Sequence, residues 1–121
     1  MNILHIDCSP RVEANSRALS AAVVAYLLAK APSAVVARRD LGLVPVPHAD
    51  ESYAYALSSP AALQDSELSD AVRLSEELIE EVEIADVVVI GTPMNNFTVP
   101  SVLKAWIAQI LRVGRTIAVS A

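Results

Sequence analysis

A chain of 121 residues is long enough for one small domain and too short for two. Hydrophobic residues make up 54% and the mean hydropathy is +0.44, which supplies a core and excludes a disordered tail. The net charge is −5 and the Lys and Arg residues are scattered, so no basic stripe exists for nucleic-acid phosphates or an anionic membrane surface.

The first element, Asn2 to Asp7, is short and mostly apolar and reads as a buried strand. Ser9 to Ser16 is polar, carries Pro10 and reads as a loop. From Arg17 a helical pattern begins, with Leu19, Ala22, Val23, Tyr26 and Leu27 at spacings of three and four on one face. Ser16 is its expected N-cap, and Ala31-Pro32 its stop. Ala34 to Asp40 reads as a second strand, polar at its end as an edge strand often is. A long connection with Pro45, Pro47 and Pro60 follows to about Asp65, and loops of that length are often functional. A second helix starts near Asp65 or Ser66, with Leu68, Val72, Leu78, Ile79 and Val82 on its apolar face. The acidic cluster Glu76, Glu77, Glu80, Glu81 and Glu83 reads as the solvated face of that helix, not a metal site, because no His or Asp converges on it in sequence.

Ala85 to Gly91 is a β-branched run of the kind buried on both faces in a central parallel strand. Thr92 to Val99 is a second polar loop. Pro100 opens a third helix with the stripe Leu103, Trp106, Ile107, Ile110 and Leu111, and Gly114 stops it. Thr116 to Val119 has the character of a beginning fourth strand. The order βαβαβα calls for parallel strands joined by right-handed crossovers. No apolar run approaches the roughly 20 residues that span a bilayer. Asp7 interrupts the first apolar stretch, and no basic patch precedes it, so no signal peptide is expected. Cys8 is the one cysteine and allows no internal disulfide. A cytoplasmic protein is the expectation.

Open α/β sheets bind ligands beyond the carboxyl ends of their strands. The loops there are Cys8 to Ser16 and Thr92 to Val99, and each leads to a helix N-terminus that attracts anions. With only Gly42, Gly91 and Gly114, neither a G-x-G-x-x-G fingerprint nor a P-loop is present. Ser9, Asn15 and Ser16 offer donors for a phosphate monoester instead, though such residues are also ordinary caps and turn formers. In the second loop Met94 and Phe97 are apolar while Asn95 and Asn96 carry amides, a mixture suited to a flat heteroaromatic ring with polar edges. Cys8 and His5 read as packed residues, His48 as a loop residue, and Trp106 as core or dimer interface. A response-regulator receiver is rejected, because the third strand ends in Gly91-Thr92-Pro93 where an Asp is needed.

Ser9-Pro10-Arg11 running into Asn15-Ser16-Arg17-Ala18-Leu19, then I-G-T-P-M-N-N-F-T-V-P over Ile90–Pro100, L-K-A-W-I over Leu103–Ile107 and G-R-T at Gly114–Thr116 together resemble the FMN-dependent NADH-azoreductase family, flavodoxin-like NAD(P)H:quinone/azo oxidoreductases. The resemblance implies a flavodoxin-like three-layer α/β/α fold, a parallel sheet in strand order 2-1-3, and only the first three βα units of it. It implies FMN as cofactor, its phosphate on Ser9, Asn15 and Ser16 and its ring against Met94, Asn95, Asn96 and Phe97. A backbone N–H near Asn96 is the candidate for tuning the flavin, and no side-chain acid or base is nominated. The implied reaction is ping-pong: NAD(P)H reduces the flavin, and the flavin then reduces a quinone or azo compound. A homodimer is also implied.

Ala14 stands where the family has a hydroxyl residue, so one phosphate hydrogen bond is either absent or made by backbone. Asn95 stands where an aromatic is common. The family runs to about 200 residues and has a Gly-rich third flavin loop. Residues 1–121 are therefore expected to be a C-terminally truncated flavodoxin-like domain. The alternative to an active oxidoreductase is an inert fragment that binds FMN weakly or not at all.

Overall fold

The computed structural model describes residues 1–48, 66–94, 99–112 and 114–117, with backbone alone for 66–71. The elements follow in the order β1 (Asn2–Asp7), α1 (Asn15–Lys30), β2 (Val35–Asp40), α2 (Ser66–Ile84), β3 (Val87–Gly91) and α3 (Ser101–Ile110). The strands form a parallel sheet in the order β2-β1-β3. Asp7 lies opposite Asp40 on one side and Gly91 on the other, so all three strands end at one rim. That register sets the loops after β1 and β3 side by side.

β1 is central and buried on both faces. Side chains alternate across a strand, and here each face meets a different layer. Leu4, Ile6 and Cys8 join Leu41, Leu78, Leu103, Ala105 and Trp106 in the main apolar cluster beneath α2 and α3. His5 and Asp7 face α1, where Ser20 bonds to both. Helices thus cover both faces of the sheet, the expected three-layer arrangement.

Three sequence-based expectations need correction. β3 lies at the outer position that the strand order 2-1-3 gives it, but it is not buried on both faces as its β-branched run suggested, since Val88 is 39% and Ile90 41% exposed. The apolar stripe assigned to α1 is largely open: Leu19 and Tyr26 are exposed, whereas Ser20 and Val24 are the buried residues. A polar residue is buried on α1 because its partners on β1 are polar. Finally, α1 begins at Asn15 with Ala14 at the N-cap and no side-chain cap. Ser16 therefore sits inside the first turn and is not the cap. On α3, Leu103 and Trp106 are buried as expected, while Ile107 and Leu111 are partly exposed.

The acidic face of α2 is not simply solvated. Glu81 takes a forked pair of hydrogen bonds from Arg39 of β2, and Glu76 and Glu83 pair with Arg112 and Arg115 beyond α3. No described helix is long and apolar enough to cross a membrane. Leu68 and residues 118–121 lie outside the described side chains, so the face assigned to Leu68 and most of the expected fourth strand fall there.

Candidate functional site

At the rim, β1 continues its pairing one step further, with the Cys8 N–H donating to the Gly91 carbonyl at 2.9 Å. The chain then turns. Ser9 Oγ accepts the Arg11 N–H at 3.1 Å, and the Ala14 N–H donates to the Arg11 carbonyl at 3.2 Å. These two bonds shape the loop that delivers α1. The helix starts without an acidic side chain in its first turn, so its unpaired N–H groups and dipole favour an incoming anion.

Gly91 is required by the closeness of this packing. A Cβ there would stand 2.7 Å from the Ser16 carbonyl oxygen, 2.7 Å from Asp7 Oδ1 and 2.8 Å from Ser20 Cβ. Only a glycine lets the end of β3 approach the first turn of α1 so nearly.

Below the rim lies a buried polar network. Asp7 accepts the Ser20 hydroxyl at 2.7 Å and Arg38 Nη1 at 2.7 Å. His5 Nε2 lies 2.9 Å from Ser20 Oγ, and Arg38 Nη1 is 3.2 Å from His5 Nδ1. Because the Ser20 hydroxyl gives its proton to Asp7, its oxygen is left to accept from His5, and we assign the neutral tautomer in which Nε2–H donates to Ser20. Burial pushes the His5 pKa down, only partly offset by the Asp7 charge. This is not a nucleophilic triad, since Ser20 and Asp7 both address the same ring nitrogen. Arg17 forks onto Asp40 at 2.7 and 2.8 Å, and that pairing holds the Asp40 carboxyl down at about 2. Burial pushes the Cys8 thiol up to about 11, which suits the packed residue expected and not a nucleophile.

A cavity of about 670 Å³ opens between the loop, α1 and β3. Its wall includes Ser9, Arg11, Asn15 and Ser16 from the first loop and helix turn, and Gly91, Thr92 and Pro93 from the second. Leu19, Val23, Val89 and Ile90 continue it as apolar surface. That volume lies in the range of small-molecule sites, about 300–1,000 Å³.

Of the residues selected from sequence, Ser9, Asn15 and Ser16 converge on this cavity. Ser9 is buried and already accepts a bond, yet its hydroxyl keeps a proton to donate. Ser16 Oγ is buried with no partner. Such a group is costly unless something bonds to it, and it fits a phosphate oxygen. Met94 is 77% exposed and is not part of the wall. Asn95, Asn96 and Phe97 lie outside the described residues. Arg17, Ser20, Asp40 and the apolar wall were not selected from sequence. The polar Asp7 ending an apolar strand is a local signal that could have pointed to the network, but from sequence it reads only as the end of the apolar stretch.

A parallel sheet with polar loops beyond the carboxyl ends of its central and outer strands, and a cluster of hydrogen-bond donors at that rim, defines an open α/β protein. The chain matches the family model for the flavodoxin-like fold across residues 1–121 and belongs to that family. An FMN-dependent NADH:quinone oxidoreductase from Nostoc punctiforme is 47% identical over 122 residues, covering 100% of this chain and 60% of the relative. A protein of the same name from Beijerinckia indica is 45% identical over 115 residues, covering 94% of this chain and 57% of the relative. Among solved structures, an azoreductase from Bacillus anthracis matches with a TM-score of 0.84 at 26% identity, over 96% of this chain and 58% of that one. An FMN-dependent NADH-azoreductase of Bacillus anthracis, solved in complex with FMN, shares the fold with a TM-score of 0.76 at 22% identity. The chain thus spans about three fifths of the length of these relatives.

Proposed function

We propose that this chain carries the phosphate-binding part of an FMN-dependent oxidoreductase that moves electrons from NADH to quinones and azo compounds. The observation that carries the reading is Ser16 Oγ, buried and without a partner in the first turn of α1 beside a cavity of ligand size. The names of the relatives agree with it.

In this reading Ser9, Asn15 and Ser16, with the N–H groups opening α1, hold the FMN phosphate. Met94, Asn95, Asn96 and Phe97 cushion and edge the ring, and a backbone N–H near Asn96 tunes it. When bound, FMN supplies two-electron redox chemistry in a ping-pong cycle between NADH and the acceptor. The chain's own groups fix the position of that cofactor and take no proton themselves. Residues 1–121 act as one flavodoxin-like unit. The protein works in the cytoplasm and pairs as a homodimer.

The test is direct. The purified chain is expected to be yellow or to quench FMN fluorescence at micromolar concentration, and to bleach an azo dye with NADH. A colourless chain that leaves FMN fluorescence unchanged would establish the alternative, an inert member of the fold. Binding without bleaching would reduce the proposal to flavin binding.

A further inference from the structure

We infer that Arg17 is a positioning residue for the anion-binding loop, one guanidinium that fixes Ser9, where the loop begins, to Asp40, where β2 ends. The inference rests on the FMN reading above and adds to it a residue that touches no ligand.

Arg17 Nη2 donates to the Ser9 carbonyl at 2.6 Å and to Asp40 Oδ1 at 2.7 Å, while Nη1 donates to Asp40 Oδ2 at 2.8 Å. Arg17 directly follows Ser16, so its side chain ties the first turn of α1 back to the start of the loop that produced it. The Ser9 carbonyl is confined from another side as well. A Cβ on Gly42 would stand 1.9 Å from its oxygen, so the carbonyl is held between that glycine and the guanidinium. Pro10 comes next and has no N–H. The Ser9–Pro10 peptide can therefore be oriented by hydrogen bonding only through this carbonyl.

The arrangement suits arginine specifically. A planar fork can serve two carboxylate oxygens and a carbonyl at once, whereas an ammonium is a single point. The Arg17 side chain is 10% exposed and Asp40 stays ionised down to about pH 2, so the pair keeps its charges through any working pH. Arg17 is absent from the wall of the site cavity and instead lines a neighbouring one with His5, Asp7 and Arg38. It acts on the ligand only through where it holds Ser9 and Ser16.

FMN affinity, followed by fluorescence titration of the whole chain, tests this with Arg17→Met, Asp40→Asn and the control Arg39→Met. The control breaks the comparable Arg39–Glu81 pair on the same strand, away from the loop. Arg17→Met and Asp40→Asn are expected to weaken FMN about tenfold or more. Arg39→Met is expected to stay within about twofold of the wild type. Should Arg17→Met fail to fold, Asp40→Asn decides the matter. Unchanged affinity in Asp40→Asn or in folded Arg17→Met, or an equal loss in Arg39→Met, overturns the positioning role while leaving the flavin reading intact. A wild-type chain that does not bind FMN overturns both.

Discussion

Ser16 is the residue where stability and binding pull in opposite directions. Its hydroxyl is buried without a partner, and a buried unsatisfied polar group costs about 1–3 kcal/mol. Alanine removes that penalty and also suits a helix. Ser16→Ala is therefore expected to raise the stability of the ligand-free chain by about 1 kcal/mol and to weaken FMN about tenfold. Thermal melts and a flavin titration read the two effects separately. Unchanged affinity would remove the phosphate from the first loop, and a marked loss of stability would mean that the hydroxyl already has a structural partner. Ser9 is a different case, since its Oγ accepts the Arg11 N–H and so shapes the loop as well as lining the cavity. Substituting it would confound the two roles, which makes Ser16 the cleaner probe.

The contact between β3 and α1 is set by Gly91. Two of the atoms crowding a Cβ there, the Ser16 carbonyl and Asp7 Oδ1, belong to backbone or to a buried, fully engaged side chain. Neither yields cheaply, so Gly91→Ala is expected to cost about 1–3 kcal/mol, as overpacking does. It should also weaken FMN, because relief comes from pushing the first turn of α1 away from the rim. Urea denaturation with a parallel flavin titration checks this, and a variant of unchanged stability would contradict the close packing. The elements themselves were legible from sequence because their signals are local. β1 has the expected bounds, β3 begins two residues later than its apolar run, and Pro100 does precede the third helix. The buried side of α1 was not legible. Its burial is decided by Ser20 meeting His5 and Asp7, residues that only the fold brings near. The Arg17–Asp40 pair was hidden for the same reason, since it depends on the register of β2 against β1. The place of the first-loop donors at the rim could be read because it follows from βα order, whereas in the second loop Met94 lies off the cavity wall and Asn95, Asn96 and Phe97 fall outside the described residues.

Across the whole molecule, the sheet divides an apolar layer beneath α2 and α3 from a polar seam beneath α1, and the seam makes stability depend on pH. His5 in the folded chain titrates below its ordinary value of 6.5, chiefly because burial disfavours the cation. The groups around it are Asp7, which favours protonation, Arg38 and Arg17, which oppose it, and Asp40, which favours it weakly. As pH falls below 6.5 the unfolded chain takes up a proton that the folded chain resists, so stability drops through that window. Asp40 adds a second, lower window. Its folded pKa of about 2 lies below the ordinary 3.8, so its contribution is complete above about pH 4 and is lost as pH falls toward 2. Urea midpoints measured from pH 7.5 to pH 2.5 are expected to fall in two stages. His5→Gln, which cannot titrate, should flatten the upper stage and leave the lower one in place. Asp40→Asn should do the reverse, starting from a lower midpoint because it weakens the Arg17 fork. An upper stage that survives His5→Gln would place the titrating group elsewhere and would refute neutral His5 as the form that the folded chain protects.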